Sequence, residues 1–305
     1  MVDLNGRGRQ VAVLDAPSNL GLRPPAPGTV PGCAKLPGAL RDCGVVQRLG
    51  AQDAGCLTPP RYDRGDWQPG DGVFHASAIA DYSQRLADRL ADLFERDRLP
   101  VVLGGDCSIL LGVALALRRR GRYGLAFLDG HSDFRHPGNS EDVGAAAGED
   151  LALVTGRGQA DLTDIEDLRP YVRDQDVVVV GMREDDAARD ELGLLGVPVW
   201  DAPRLLAEGP ASAVAGTLDH LGQDGLDGFW VHLDVDILDD GVMPAVDSPA
   251  SGGIDHDHLE ALLEGLAGSR RCVGVDITIF DPDLDPDGLL AQELTDTLVA
   301  GLPRA

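Results

Sequence analysis

Short apolar runs recur along the whole chain, each separated from the next by a segment with helical spacing. The runs are QVAVLDA (10–16), LPVVLGG (99–105), YGLAFLDG (123–130), DVVVVGM (176–182), GVPVWDA (196–202), GFWVHLDVD (228–236) and RCVGVDI (271–277). Several are continuous blocks with little alternation, as in strands buried on both faces of a sheet. Between them lie HASAIADYSQRLADRLADLFERD (75–97) and SILLGVALALRRRG (108–121), the second closing with a basic turn and a glycine, a helix C-terminus signal. ARDELGLLG (188–196), PRLLAEG (203–209), ASAVAGTLDHLGQ (211–223) and DHDHLEALLEGLAG (255–268) continue the pattern. Strand–helix alternation over such a length predicts an α/β fold, a parallel sheet with helices on both faces. The Pro- and Gly-rich stretches 18–40 and 56–72 read as long loops, and no linker cuts the chain. Residues 1–305 are expected to form one domain.

Composition narrows the class. Aromatics are 4% of the chain, so the core must be aliphatic. With 51 acidic and 26 basic residues the net charge is −25, which repels nucleic acid and anionic membranes. The five cysteines include no CxxC pair, and the N-terminus MVDLNGRGRQVAVLDAP has no apolar signal core. No stretch reaches the ~18 apolar residues of a membrane helix. The reading is a reduced cytoplasmic protein.

In parallel α/β sheets, ligands bind beyond the carboxyl ends of the strands. There this chain places Gly104-Gly105-Asp106-Cys107, Asp129-Gly130-His131-Ser132-Asp133, Asp234-Val235-Asp236 and Asp276. Carboxylates at the end of an apolar strand need hydrogen bonds, a cationic partner or a metal. DGHSD and DVD each put acids on the same side of the pleat, so both pairs can aim at one centre. Asp with His suits Mn, Fe, Co or Zn, and two ions sharing bridging carboxylates would use this many acids. The competing reading, helix capping, serves for any one acid but poorly for all the clusters together.

These motifs carry a resemblance. DGHSD resembles the DAHxD motif of the ureohydrolase family (arginase, agmatinase, formiminoglutamase). HLDVDILDD resembles its SxDxDxxDP, GGDCS its GGDHS, and PASGG (249–253) its PxxGG loop. The resemblance spans most of the chain. It implies a three-layer α/β/α sandwich around a mostly parallel eight-stranded sheet, two Mn ions, and a trimer or hexamer. By motif position it makes Asp129, His131, Asp133, Asp234 and Asp236 ligands, with Asp129 and Asp234 bridging. The first ligand position, the His of GGDHS, is Cys107. Cys107 can be a buried core residue, a nucleophile or a thiolate ligand; as a ligand it would shift preference from Mn toward Zn or Fe.

Other positions depart as well. The Glu of the family's guanidinium-holding EVxP segment is Ile279, which cannot pair with a cation. A His ahead of a Gly-x-Pro, which moves protons in arginase and agmatinase, is Ala147 ahead of Gly148-Glu149-Asp150. Glu149 either takes over proton transfer or starts a helix. Arg135 stands where arginase places an Asn for the substrate carboxylate; it is a carboxylate clamp or a surface ion pair. Glu184 and Asp186, in a segment resembling GxRxxD, either meet a substrate ammonium or cap a helix. His256 and His258, in DHDHLE, could pair on a metal, but they start a helix after a Gly-Gly loop and the acids there suit capping.

The resemblance implies metal-dependent hydrolysis of a non-peptide C–N bond in an amidine or guanidino-type small molecule, with Asp133 passing a proton to the leaving amine. Loss of the guanidinium partner points away from plain arginine, toward a neutral or modified guanidine such as an N-hydroxyguanidine. The rival is a non-catalytic relative that keeps the metal and serves in binding or assembly.

Overall fold

The structure, a computed structural model, describes residues 9–304 except Arg64; the start of the stretch read for a signal core, residues 1–8, lies outside it. Eight strands form one sheet in the order β2-β1-β3-β8-β7-β4-β5-β6. They are β1 Gln10–Asp15, β2 Gln52–Cys56, β3 Arg98–Leu103, β4 Gly124–Leu128, β5 Val177–Val180, β6 Val199–Trp200, β7 Phe229–Asp234 and β8 Cys272–Thr278. Every pairing is parallel, so the sheet is wholly rather than mostly parallel.

Alternate strand residues feed two cores. Val11, Val101, Val178, Val231 and Ile277 face helices α1 (Leu36–Asp42), α2 (Val45–Arg48), α8 (Ala202–Glu208), α9 (Pro210–Leu221), α10 (His256–Ala267) and α11 (Leu289–Gly301). Ala12, Val102, Phe127, Val179 and Trp230 face α3 (Ala76–Glu95), α4 (Ile109–Arg120), α5 (Asp150–Val154), α6 (Ala160–Thr163) and α7 (Arg189–Leu194). The result is the expected α/β/α sandwich. In α3 the spacing Ile79, Leu86, Leu90, Leu93 builds the buried stripe. Truncating any of these leucines to Ala would cost about 2–5 kcal/mol. Among the described residues no helix is long and apolar enough to cross a membrane.

All seven apolar runs became strands. The eighth strand, β2, carries the sequence QDAGC and lies at the sheet edge with mostly exposed side chains, so it left no apolar run to read. Helix α1 emerged inside the stretch read as a loop, and α11 was not anticipated, although Ala291, Leu294 and Leu298 carry helical spacing.

Registers level the central strand ends. Leu103 pairs with Ile277, Thr278 with Asp234, and Leu233 with Leu128. The chain therefore leaves β3, β8, β7 and β4 side by side, and the four motif segments begin from one line.

Candidate metal centre

The first segment turns sharply after β3. Gly105 sits against the backbone of Ser18, leaving no room for a Cβ. Asp106 is committed to this turn: its carboxylate accepts from Ser18 Oγ at 2.7 Å and from the Ser108 amide at 2.8 Å. Cys107 follows, fully buried at the start of α4, with Sγ 2.9 Å from Asp234 Oδ2 and 3.1 Å from Thr278 Oγ1.

The acids converge through turns rather than through the pleat. After β4 the DGHSD segment is irregular, and Asp133 adopts a φ of 42°, a left-handed conformation that Asp tolerates better than most residues. After β7, residues Val235–Ile237 form a 3-10 turn that carries Asp236. The sequence expectation of same-face strand residues is thus corrected, while the convergence itself holds.

One oxygen of each of three carboxylates is pinned by backbone. Asp129 Oδ1 accepts from the His131 amide (2.6 Å), Asp234 Oδ1 from the Asp236 amide (2.7 Å), and Asp236 Oδ1 from the Gly130 amide (3.1 Å). The other oxygens point inward. Asp234 Oδ2 meets Cys107 Sγ, and Asp236 Oδ2 meets His131 Nδ1 at 2.9 Å. Asp129 Oδ2 is buried without a hydrogen-bond partner. Buried Arg183 braces the arrangement, donating to the carbonyls of Asp236, Ile237, Leu238 and Ala250.

Ligand-type atoms fall into groups whose members lie within 4.8 Å of one another: Cys107, Asp133 and Asp234; and Asp129, His131 and Asp236. Their electrostatics are those of a cation-free anion cluster. Burial, reinforced by neighbouring acids, pushes Asp129 and Asp234 well above the carboxylate range. Burial likewise raises Asp133 to about 7, against the opposing pull of His131. The hydrogen bond that His131 donates to the Asp236 carboxylate raises His131 to about 9. Asp236 is the exception: burial pushes it up, but the His131 bond and charge, the Gly130 amide and Arg183 bring it below its ordinary value. The Cys107 thiol is driven up by burial and then by Asp234 and Asp150. Several carboxyls held against ionisation, with an orphaned oxygen at their centre, fit divalent cations: an ion supplies the charge that burial withholds.

A cavity of about 660 Å³ opens over these groups, lined by His131, Asp133, Asp234 and Asp236 at its floor and by Arg23, Arg135, Asp186, Asp247 and Ile279 among its walls. Arg135 reaches it while donating to the Gly148 carbonyl at 3.2 Å and pairing with Asp142 at 3.4 Å. Asp186 lines it, but its carboxylate accepts from the Ser132 and Ala188 amides, which fixes the DGHSD loop. Ile279 is buried in the wall with a φ of 74°, in the left-handed region.

Cys107 and Asp129 lie behind the cavity lining within the donor groups, and Glu149 and Glu184 belong to neither the lining nor those groups. Glu149 is buried, and its Oε1 accepts from the Gly144 and Ala145 amides; burial raises its pKa despite those bonds. It sits at the N-cap of α5 without a side-chain capping bond, and its two accepted amide bonds clamp the loop before the helix. Glu184 is exposed and is not among the residues that line the cavity. His256 and His258 are placed as capping-region residues: Asp255 caps α10 through the His258 amide, and His256 Nδ1 meets Thr297 Oγ1 at 2.8 Å.

Sequence reasoning passed over Asp247, which lines the cavity together with Ile279, and over His232 and Asp150. His232, midway along an apolar strand, gave only the signal of a core position. Asp150 looked like an acidic first turn.

The model of the Arginase family matches residues 10–302. Arginase of Brevibacillus brevis is 28% identical over 265 residues, covering 84% of this chain and 87% of that protein. The solved structure of arginase from Bacillus caldovelox superposes with a TM-score of 0.86 at 25% identity, covering 97% of this chain and 99% of the other. Formimidoylglutamase from Bacillus subtilis superposes at 0.73 with 20% identity, covering 97% and 87%.

Proposed function

Since the chain belongs to the arginase family, we propose that it is a dinuclear metal-dependent hydrolase cleaving a C–N bond of a small amidine or guanidino compound other than plain arginine. The observation that carries this reading is the pair of donor groups, Cys107–Asp133–Asp234 and Asp129–His131–Asp236, which present Asp133, Asp234, His131 and Asp236 to one cavity and keep Cys107 and Asp129 buried behind them. When bound there, divalent ions would supply Lewis acidity and bring a water's pKa toward neutrality. Manganese is the family's metal; the thiol of Cys107 favours zinc or iron for the group it joins.

The chain's own residues supply the rest. Asp133 projects into the cavity, and among the described residues no hydrogen bond holds its carboxyl. Its uncommitted carboxyl at the cavity floor can accept a proton and return it to a departing amine. Arg135 and Arg23 both pair with Asp142, at 3.4 Å and 3.0 Å, so a substrate carboxylate arriving at this rim would exchange with Asp142. The products would be urea or a related amide, and an amine.

Ile279 favours a specific second reading, a modified guanidine such as an N-hydroxyguanidine. The Ile279 side chain offers nothing to a full guanidinium charge, whereas Asp247, another lining residue whose carboxyl burial holds toward its neutral form, can accept hydrogen bonds from a substrate N–H or O–H. The test is a release assay for urea, hydroxyurea and ammonia on Mn- and Zn-reconstituted protein, over arginine, agmatine, formimino compounds and N-hydroxyguanidines. Hydrolysis confined to non-arginine members supports the proposal; turnover of none of them, with metal bound, favours the non-catalytic relative.

A further inference from the structure

Three departures from the family motifs, far apart in sequence, meet at one buried point. Cys107 stands at the His of GGDHS, His232 at the Ser of SxDxDxxDP, and Asp150 at the Pro of the Gly-x-Pro. Their ligand-type atoms lie within 4.8 Å of one another, and all three residues are fully buried. We infer that Cys107 Sγ, His232 Nε2 and Asp150 Oδ2 form an inner site for one thiophilic divalent cation of the zinc, cobalt(II) or iron(II) class. It lies behind the cavity floor, on the side of the sheet that carries α4 and α5.

The inference rests on the hydrolase reading for its second ion, and it reassigns the first. The ion counted above with Cys107, Asp133 and Asp234 moves inward; Asp133 and Asp234 stay at the cavity floor to serve the second ion, with one Asp133 oxygen left to carry a proton.

His232 is oriented as a metal-ligating imidazole. It pairs in register with Asp276 on β8, and its Nδ1 lies 2.6 Å from Asp276 Oδ2. Asp276 Oδ1 in turn accepts from Trp230 Nε1 at 2.5 Å. Phe127 stacks on the ring with centroids 4.9 Å apart. A carboxylate on one ring nitrogen fixes the tautomer that leaves the other nitrogen's lone pair for a metal. That other nitrogen, Nε2, is buried with no hydrogen-bond partner among the described residues, and so is Asp150 Oδ2. The two are 3.6 Å apart, beyond hydrogen-bond range. The separation is close to the ~3.3–3.6 Å that two ligands at ~2.0–2.2 Å take on a tetrahedral ion. A purely structural imidazolium between two carboxylates would instead close that gap. Cys107 would lose its proton on binding, as thiol ligands do.

Cobalt reports the thiolate directly. Chelator-stripped protein titrated with Co(II) should take up two equivalents, one of them with a near-ultraviolet sulfur-to-cobalt band. That band should vanish in Cys107→Ser, His232→Asn and Asp150→Asn, and Asp276→Asn should weaken that ion's affinity by ~10–100-fold. If the band keeps wild-type intensity in folded His232→Asn and Asp150→Asn proteins, Cys107 serves Asp133 and Asp234 and the inner site is refuted. If cobalt binds the wild type with no thiolate band, Cys107 is a bystander and the inference is also refuted. Should the variants fail to fold, X-ray absorption of one-equivalent zinc in otherwise intact His131→Asn protein decides. Sulfur plus imidazole supports the inner site; sulfur plus oxygen alone overturns it. Asp236→Asn separates this from the hydrolase reading. It should remove one cobalt and spare the thiolate band; a wild type that binds a single, thiolate-bound cobalt indifferent to Asp236→Asn refutes the dinuclear reading alone.

Discussion

Replacing Asp133 by Asn should stabilise the metal-free protein and destabilise the metal-loaded one. The carboxyl is raised from 3.8 to about 7, mainly by burial. Its folded-state pKa thus exceeds the unfolded one, so its contribution to stability is complete below about pH 4 and is lost as pH rises through 7. A shift of about three units corresponds to ~4 kcal/mol at pH 8. Because the side chain is reachable from the cavity, screening reduces this to about 2–4 kcal/mol. Asn removes the charge, tolerates the left-handed φ of 42°, and breaks no side-chain hydrogen bond among those described. For a chain of this length, an unfolding entropy of ~0.6 kcal/mol/K converts that gain to a Tm rise of about 3–6 °C. At pH 4.5 the advantage should shrink to ~1 kcal/mol, because wild-type Asp133 is protonated in the folded state while the pH lies only slightly above the unfolded value of 3.8, so little ionisation free energy is forfeited on folding. With saturating Mn(II) or Zn(II) the order should reverse. A ligand at a thousand times its Kd stabilises the wild type by ~4 kcal/mol, and the variant would forfeit much of that. Scanning calorimetry in EDTA at both pH values, and then with metal, reads all three outcomes. A lower Tm for the variant in EDTA at pH 8, or an equal increment at both pH values, would show that Asp133 is not held against ionisation by its surroundings.

Metal analysis of reconstituted protein should give about two divalent ions per chain, and Asp234→Ala should lose at least one of them together with hydrolysis; a wild type that retains none after Mn or Zn loading contradicts the site. Arginine and agmatine should be poor substrates, and Ile279→Glu should raise kcat/KM for arginine by ~10–150-fold, the equivalent of ~1.5–3 kcal/mol for a charge-assisted bond. Rapid urea release from arginine by the wild type would refute the role given to Ile279. Glu149→Gln should keep turnover within a few-fold, since the amide oxygen can still accept from the Gly144 and Ala145 amides; a loss of ~10²–10⁴-fold with metal content unchanged would restore Glu149 as a proton carrier.

The parts of this molecule that could be read from sequence are those in which one residue type serves one purpose. Val177–Val180 is apolar on both faces because both faces are buried, so its run announces a central strand. β2 is an edge strand whose burial is partial, and nothing in QDAGC separates it from a loop. DGHSD and DVD were legible because acids after apolar strands have few other uses. Glu149 and Asp150 were not. Both are acids at a helix start, and only the folded chain shows that the first is satisfied by two amides while the second keeps an oxygen without a partner. Asp276 was rightly placed at a strand end, but its bonds to His232 and Trp230 make it an orienting group rather than a member of the cavity floor.

The departures at Cys107 and Ile279 belong to one structural unit. The Ile279 amide donates to the Gly105 carbonyl at 2.7 Å, and Gly105 lies in the turn that delivers Cys107. Thr278, one residue earlier, places its Oγ1 at 3.1 Å from Cys107 Sγ and donates to the Leu233 carbonyl on β7. The backbone that sets the thiol is therefore bonded to the backbone that sets the cavity wall. That wall residue is β-branched at a positive φ, an arrangement that costs about 1–2 kcal/mol and persists only where the surroundings impose it. Here the imposition comes from the Gly105 bond below and the buried position of the side chain above. A change of metal donor and a change of substrate wall reached through one hydrogen-bonded turn should not act independently. Restoring His at 107 alters the packing beneath Thr278, and restoring Glu at 279 alters the strand end that supports the donor. Reversion of the metal preference and reversion of the substrate preference are thus expected to be non-additive, and the double variant, rather than either single one, is the fair comparison with an arginine-cleaving relative.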